Sequence, residues 1–266
     1  MTRAFGLIVV GDEILSGKRA DKHMAKVIEL LAARGLQLSW AEYVGDEPAR
    51  ITAALARAFA SGDIVFSTGG IGATPDDHTR QCAAKALGVP LALHPEAELL
   101  IRERMQDTAR EQGVAYEPDR ADNVHRLNMG VFPQGATLIH NPYNKIPGFS
   151  VADVHFVPGF PVMAWPMVES VLDSRYADLF TRNAVAEKSV IVFGAMEATL
   201  TPLMQAIEDQ HAGVKVFSLP SVDHPQYGRH IELGVKGAPG LLDAAYSQLI
   251  DGLHVFDAKL GPELVR

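Results

Sequence analysis

The chain has 266 residues, 47% of them hydrophobic, with 16 prolines and a formal net charge of −8; this is enough apolar content for a sizeable core and excludes wholesale disorder. The acidic balance argues against a protein that works by covering the phosphate backbone of nucleic acid. No apolar run approaches the roughly 18 residues of a membrane span, no cleavage region accompanies the first apolar stretch, and the single cysteine excludes an intrachain disulfide framework, so a cytoplasmic protein is expected.

In chain order, residues 4–10 (AFGLIVV) form a short continuous apolar run, the pattern of a strand buried on both faces of a parallel sheet. Met24, Val27, Ile28 and Leu31 then recur at helical spacing, with Gly35 where the helix should stop. Residues 36–44 read as a second strand, Ile51, Leu55 and Phe59 as a second helix, and residues 63–67 as a third strand. Helices are expected at about 77–87, 96–112 and 161–180, and strands at about 136–140 and 153–157. This alternation predicts an α/β domain over residues 1–178, a doubly wound, mostly parallel sheet with helices on both faces. The polar stretch at 181–188 reads as a linker. Residues 188–266 carry a smaller α+β domain of their own, whose alternating RHIELGV places Ile231, Leu233 and Val235 on one face. A unit of roughly 70 residues lies near the lower limit of independent stability, so contact with the large domain or a second copy is expected, and with it a homo-oligomer.

Four unusual turns stand out: GDEILSGK after the first strand, TGGIGATPDD after the third, NPYNKIPGF after the strand near 138, and PGFP after the strand near 155. In an open parallel sheet such turns share the edge outside the carboxyl ends of the strands, where ligands bind. Thr68, Gly69, Gly70, Gly72 and Thr74 on one turn, Asn141, Pro147 and Gly148 on another, and Pro158 and Gly159 on the last are therefore candidate phosphate or ligand contacts. Glycines let backbone approach a ligand and adopt positive φ, and the following helix N-terminus favours an anion. Asp76 and Asp77 would repel a phosphate, and a dipole worth about 0.3–1 kcal/mol does not settle that conflict, whereas Mg²⁺ or another divalent cation does. Asp12, Asp76 and Asp77 are the candidate metal ligands, and Asp12, Glu13 and Asp77 the candidate catalytic groups, with Glu13 as general base. One Asp of the pair is also expected to serve as an N-cap.

Other signatures are absent or plain. GDEILSGKR has one residue too many for a P-loop and Arg19 where Ser or Thr should stand, and GGIGAT fails the dinucleotide fingerprint. Cys82 falls on an apolar helix face, His78 reads as solvent-facing, and the histidines show no zinc spacing.

The set GDEILSG, VGD at 44–46, TGGIGATPDDHT, N-x-x-N-x-I-P-G at 141–148 and PGFP resembles the MoaB/Mog-type molybdopterin-binding fold, and within it the N-terminal domain of the CinA family. The resemblance covers roughly residues 1–175, and residues 188–257 resemble the small KH-like unit that follows it. It implies a divalent-metal pyrophosphohydrolase acting on ADP-ribose-like nucleotides; Mog-type relatives instead bind or adenylylate molybdopterin, so a nucleotide or a pterin is the expected partner. A nicotinamide mononucleotide deamidase domain, present in longer members, is not expected here. The sequence departs from the pattern at Ala73, which replaces a proline, and at Asn144 and Ile146, which replace glycine and alanine. Asn144 is expected to take the positive φ that the glycine would supply. The small unit has no G-x-x-G loop, so its KH-like form does not imply RNA binding.

Overall fold

The computed structural model describes residues 3–180, 186–256 and 258–265, and the chain divides into two compact units, Met1–Phe180 and Thr181–Arg266. In the first, strand β1 (Phe5–Val10) is buried at every position. Its side chains alternate between two cores. Leu7 and Val9 pack with Val27 and Leu31 of helix α2 (His23–Ala32) and Met167 and Val171 of helix α7 (Pro161–Arg175). Ile8 and Val10 pack on the other face with Ile51 and Leu55 of helix α3 (Pro48–Ser61) and with Cys82 and Ala83 of helix α4 (Thr79–Leu87). This interior strand is thus apolar throughout because both of its faces are covered.

The six-stranded sheet has the order β2-β1-β3-β8-β7-β6. Strands β1, β2 (Leu38–Val44), β3 (Ile64–Thr68) and β8 (Val154–Val157) are mutually parallel. β7 (Gly148–Val151) runs antiparallel to both β8 and β6 (Thr137–Ile139), so β6 points the same way as the parallel strands. A stack of buried rings ties these strands together, with Phe149 and Phe156 centred 4.3 Å apart. The doubly wound, mostly parallel architecture is the one the alternation implied.

Several elements had no clear periodic signal. A two-stranded ribbon of β4 (Leu91–Leu93) and β5 (Val131–Pro133) is too short to show one. Helix α5 (Pro95–Glu111) lies within a residue of expectation, and the short α6 (Ala121–Arg126) follows it. β7 was hidden because GFSV continues a Gly-Pro-rich turn. α7 stops at Arg175, five residues early, and Tyr176 to Leu179 form a bend and a 3₁₀ turn. A single turn, α1 (Asp12–Leu15), follows β1.

The second unit is an antiparallel sheet of order β10-β11-β9-β12, made of β9 (Ala186–Phe193), β10 (Lys215–His224), β11 (Gly228–Gly237) and β12 (Lys259–Val265). Ile231, Leu233 and Val235 share one core with Leu200 and Ile207 of α8 (Glu197–Gln210) and Leu242 and Leu249 of α9 (Pro239–Val255). The alternating pattern had placed those three residues together. β12 escaped notice because KLGPELV carries both Gly and Pro. Residues 181–185 of the expected linker lie outside the described residues. Among the described residues no helix is long and apolar enough to cross a membrane.

Candidate functional site

Because β1, β3, β6 and β8 all point one way, the turns that follow them land on one sheet edge. There they enclose a cleft of about 420 Å³. Glu13 and Gly11 line it from the first turn, Gly69, Gly70, Gly72, Thr74, Asp76 and Asp77 from the second, Asn141 and Pro147 from the third, and Pro158 and Gly159 from the fourth. Ile71, Met129, Ile146, Phe160 and Met163 form an apolar wall. The cleft therefore joins carboxylates and bare backbone to a surface suited to a flat ring.

Three expected residues do not line it. Asp12 turns away: its N–H donates to Asp46 Oδ2 at 2.9 Å while its Oδ1 accepts the Asp46 N–H at 3.1 Å. This reciprocal pair latches the end of β1 to the end of β2, and it is Asp46 that reaches the cleft. Thr68, the last residue of β3, is 1% exposed and its Oγ1 has no hydrogen-bond partner among the described residues. Gly148 opens β7, where an added Cβ would stand 2.3 Å from the Phe156 carbonyl oxygen. Its absent side chain serves strand packing.

The Asp pair also divides its labour differently from expectation. Neither Asp is the N-cap of α4, a position taken by His78. His78 is half-buried rather than solvent-facing. Asp77 Oδ2 instead accepts the Thr74 N–H at 2.8 Å and the Thr74 hydroxyl at 2.5 Å, closing the turn on itself. Asp76 is exposed to the cleft, and Thr74 together with the Asp76 N–H holds its carboxyl below the usual range.

The glycines answer first to the scaffold. At Gly69, φ +96°, a Cβ would meet the Val10 carbonyl oxygen at 2.3 Å, and at Gly70, φ +67°, it would meet Thr79 Oγ1 at 2.2 Å. Only glycine lets this turn wedge between the end of β1 and the start of α4.

The third turn is held by its own amides. Asn141, 1% exposed, donates to Asn144 Oδ1 at 2.8 Å and to the Ile146 carbonyl at 2.9 Å, and accepts the Tyr143 N–H at 3.0 Å. The positive φ falls on Lys145, at 66°, not on Asn144. Lys145 is steadied there by Asp107 at 2.8 Å, and Asn144 Oδ1 accepts the Ile146 N–H. On the fourth turn, His23 Nε2 contacts the Gly159 carbonyl at 3.0 Å and donates to it.

Asp46 is the informative group that sequence reasoning left unused, although VGD marked its turn. Burial raises its carboxyl, the Asp12 N–H works against that rise, and the negative charges of Asp12, Glu13 and Asp76 add to it. Among the described residues no three His, Cys, Asp or Glu side chains form a cation cage. A resident ion held by protein alone does not fit this donor set. A divalent cation that arrives with phosphate oxygens and waters and needs one or two carboxylates does fit, with Asp46 and Asp76 available.

A family model described as a probable molybdopterin binding domain matches residues 6–178. A CinA-like protein of Geotalea uraniireducens is 32% identical over 78% of this chain but only 48% of its own length. The chain thus spans about half the length of such CinA-like relatives. A protein of Pyrobaculum calidifontis is 29% identical over 92% of this chain and 94% of its own. The crystal structure of CinA, of unknown function, from Thermoplasma acidophilum superposes with a TM-score of 0.55 at 26% identity, covering 67% of this chain and 100% of that one. The chain belongs to the probable molybdopterin-binding domain family, as a CinA-like, MoaB/Mog-type member.

Proposed function

We propose that the protein is a cytoplasmic, divalent-metal-dependent nucleotide pyrophosphohydrolase acting on ADP-ribose-like substrates. The observation that supports it most is that Glu13, Asp46 and Asp76 line the same cleft as the Gly69–Ala73 backbone, a donor set matched to a cation-chelated pyrophosphate. When bound with the substrate, the cation supplies neutralisation of the phosphate oxygens and a more acidic water.

The chain's own groups do the rest. Asp46 and Asp76 would hold the chelate, and a cation there would offset the like charges of Asp12, Glu13 and Asp76 that add to the rise burial gives Asp46. Glu13 accepts a proton from the attacking water. Backbone N–H groups of the glycine turn receive the charge that develops as the P–O–P linkage breaks. Water adds across that linkage, leaving AMP and ribose 5-phosphate from ADP-ribose. Arg19, on the cleft wall, offers a further positive charge to a phosphate. Phe160, Ile146 and Met129 pack on the flat base.

The apolar wall alone favours a second reading, a pterin held in the same place without turnover, since any flat heterocycle suits it. Incubation with ADP-ribose with and without Mg²⁺ separates the two. Magnesium-dependent AMP release supports hydrolysis, whereas saturable pterin binding with no turnover of any nucleotide supports the alternative.

A further inference from the structure

The glycine turn is tied from behind at four carbonyls. Gly69 O accepts the Thr79 hydroxyl at 3.1 Å and Gly70 O accepts the Thr79 N–H at 3.0 Å. Gly72 O accepts Arg80 Nη2 at 2.5 Å, and Ala73 O lies 2.8 Å from His125 Nε2, which donates to it. Asn128 Nδ2 faces His125 Nδ1 at 3.3 Å and donates there, which fixes the proton on Nε2. In a trans peptide the C=O and the following N–H point in opposite directions, and the chain has no cis bond among its described residues. Carbonyls drawn back toward α4 and α6 therefore turn the N–H groups of Gly70, Ile71 and Ala73 outward, toward the cleft that these residues line. None of those three amides has a partner among the described residues.

Arg80 is unusual in its own right. It is 4% exposed, its Nε has no partner among the described residues, and the charge of Asp77 acts on it without a bonded ion pair among those residues. A guanidinium buried without a bonded carboxylate is costly, and its one hydrogen bond goes to the backbone of the turn.

We propose that Arg80 and His125 are positioning residues that set the peptide planes of the glycine turn, and thereby aim three amides at a phosphate group. The proposal rests on the reading of the cleft as a phosphate site. Neither side chain touches the ligand; each acts through a carbonyl.

The test uses the full chain, with Mg²⁺–pyrophosphate as probe. Arg80→Met and His125→Ala should each weaken its binding by roughly tenfold, the effect of one hydrogen bond. Arg80→Lys, whose ammonium still donates to Gly72 O, should stay within about threefold of the wild type. His125 is exposed, so its variant keeps the test open even where Arg80→Met does not fold. Independently of any ligand, the amide ¹⁵N and ¹H shifts of Ile71 and Ala73 should move in both His125→Ala and Arg80→Met. Unmoved shifts overturn the positioning role, as does unaltered pyrophosphate affinity in a wild-type background that binds it. A wild type that binds no pyrophosphate sinks the phosphate reading instead, and the shifts then decide the positioning role alone.

Discussion

The two ends of the large sheet carry similar side chains in opposite states. At the amino edge, Ser150, His155, Tyr176, Asp153 and Arg3 form one closed chain of bonds. The Ser150 hydroxyl donates to His155 Nδ1 at 2.8 Å, His155 Nε2–H donates to the Tyr176 oxygen at 2.6 Å, and Tyr176 donates to Asp153 at 2.8 Å. Arg3 completes it with an ion pair to Asp153 at 2.5 Å. At the carboxyl edge, the hydroxyls of Ser67 and Thr68 and the Nε of Arg80 have no partner among the described residues, and the carboxyl of Asp46 is pushed up by burial and, less, by like charges. A Ser-His-Asp grouping invites a catalytic reading, yet His155 is 0% exposed and Ser150 is 1% exposed. The satisfied set holds the fold, whereas at the carboxyl edge the cleft-lining Gly70, Ile71 and Ala73 N–H groups are left without a partner among the described residues.

Four substitutions or titrations sharpen that contrast. The largest effect should come from the cleft. Asp46→Asn or Asp76→Asn should lower Mg²⁺-dependent AMP release from ADP-ribose by at least roughly a hundredfold, with a melting temperature within about 2 °C of wild type, since partly exposed carboxylates add little to folding. Chelation by EDTA should do the same. Hydrolysis that survives both would remove the metal from the account.

Next comes the amino edge. His155→Leu should cost about 2–4 kcal/mol in urea unfolding, because the Ser150 and Tyr176 hydroxyls lose their buried partner. Its effect on nucleotide handling should be slight. A variant as stable as wild type would show that the chain of bonds is incidental.

The same histidine sets a pH dependence. Burial, with a smaller contribution from the charge of Arg175, lowers His155 from 6.5 to about 3. The unfolded chain therefore binds a proton that the folded one refuses between those values. Stability from this group is complete above pH 6.5, falls by up to about 1.4 kcal/mol per unit below it, and is lost as pH approaches 3. His155→Gln should flatten that slope in urea titrations between pH 6.5 and 4. An unchanged slope would assign the acid sensitivity to other groups.

The smallest effect distinguishes the two neighbours at the ends of β1 and β2. Asp12→Ala removes a latch rather than a ligand contact, so it should cost about 1 kcal/mol of stability and lower turnover far less than Asp46→Asn. Equal losses would return Asp12 to the cleft.

Much of this was legible because the physics repeats along the chain. Apolar runs at 4–10 and 63–67 can only be strands covered on both faces, and parallel strands then bring their following turns to one edge. The identity of the turns carried the site, but the direction of each side chain did not. Asp12 and Asp46 differ only in which way a reciprocal hydrogen-bond pair faces them, and no one-dimensional pattern encodes that. One Asp of the 76–77 pair looked like an N-cap because an acidic residue before a helix commonly is one; instead His78 takes that position and Asp77 closes onto Thr74, three residues upstream. Arg80 carried no sequence signal, since only the packed turn shows that its guanidinium is buried against Gly72. His155 gave no signal either, because its partners lie 5 and 21 residues away.

The contrast between the edges is most directly tested by measuring two quantities on two variants: Mg²⁺-dependent ADP-ribose hydrolysis and unfolding free energy, in Asp76→Asn and in His155→Gln. The expected result is crossed. Asp76→Asn loses turnover and keeps its stability, and His155→Gln loses stability and keeps its turnover at temperatures where it is folded. If both variants retain full hydrolysis, or if His155→Gln abolishes it while folded, then the cleft at the carboxyl edge is not where the chemistry occurs.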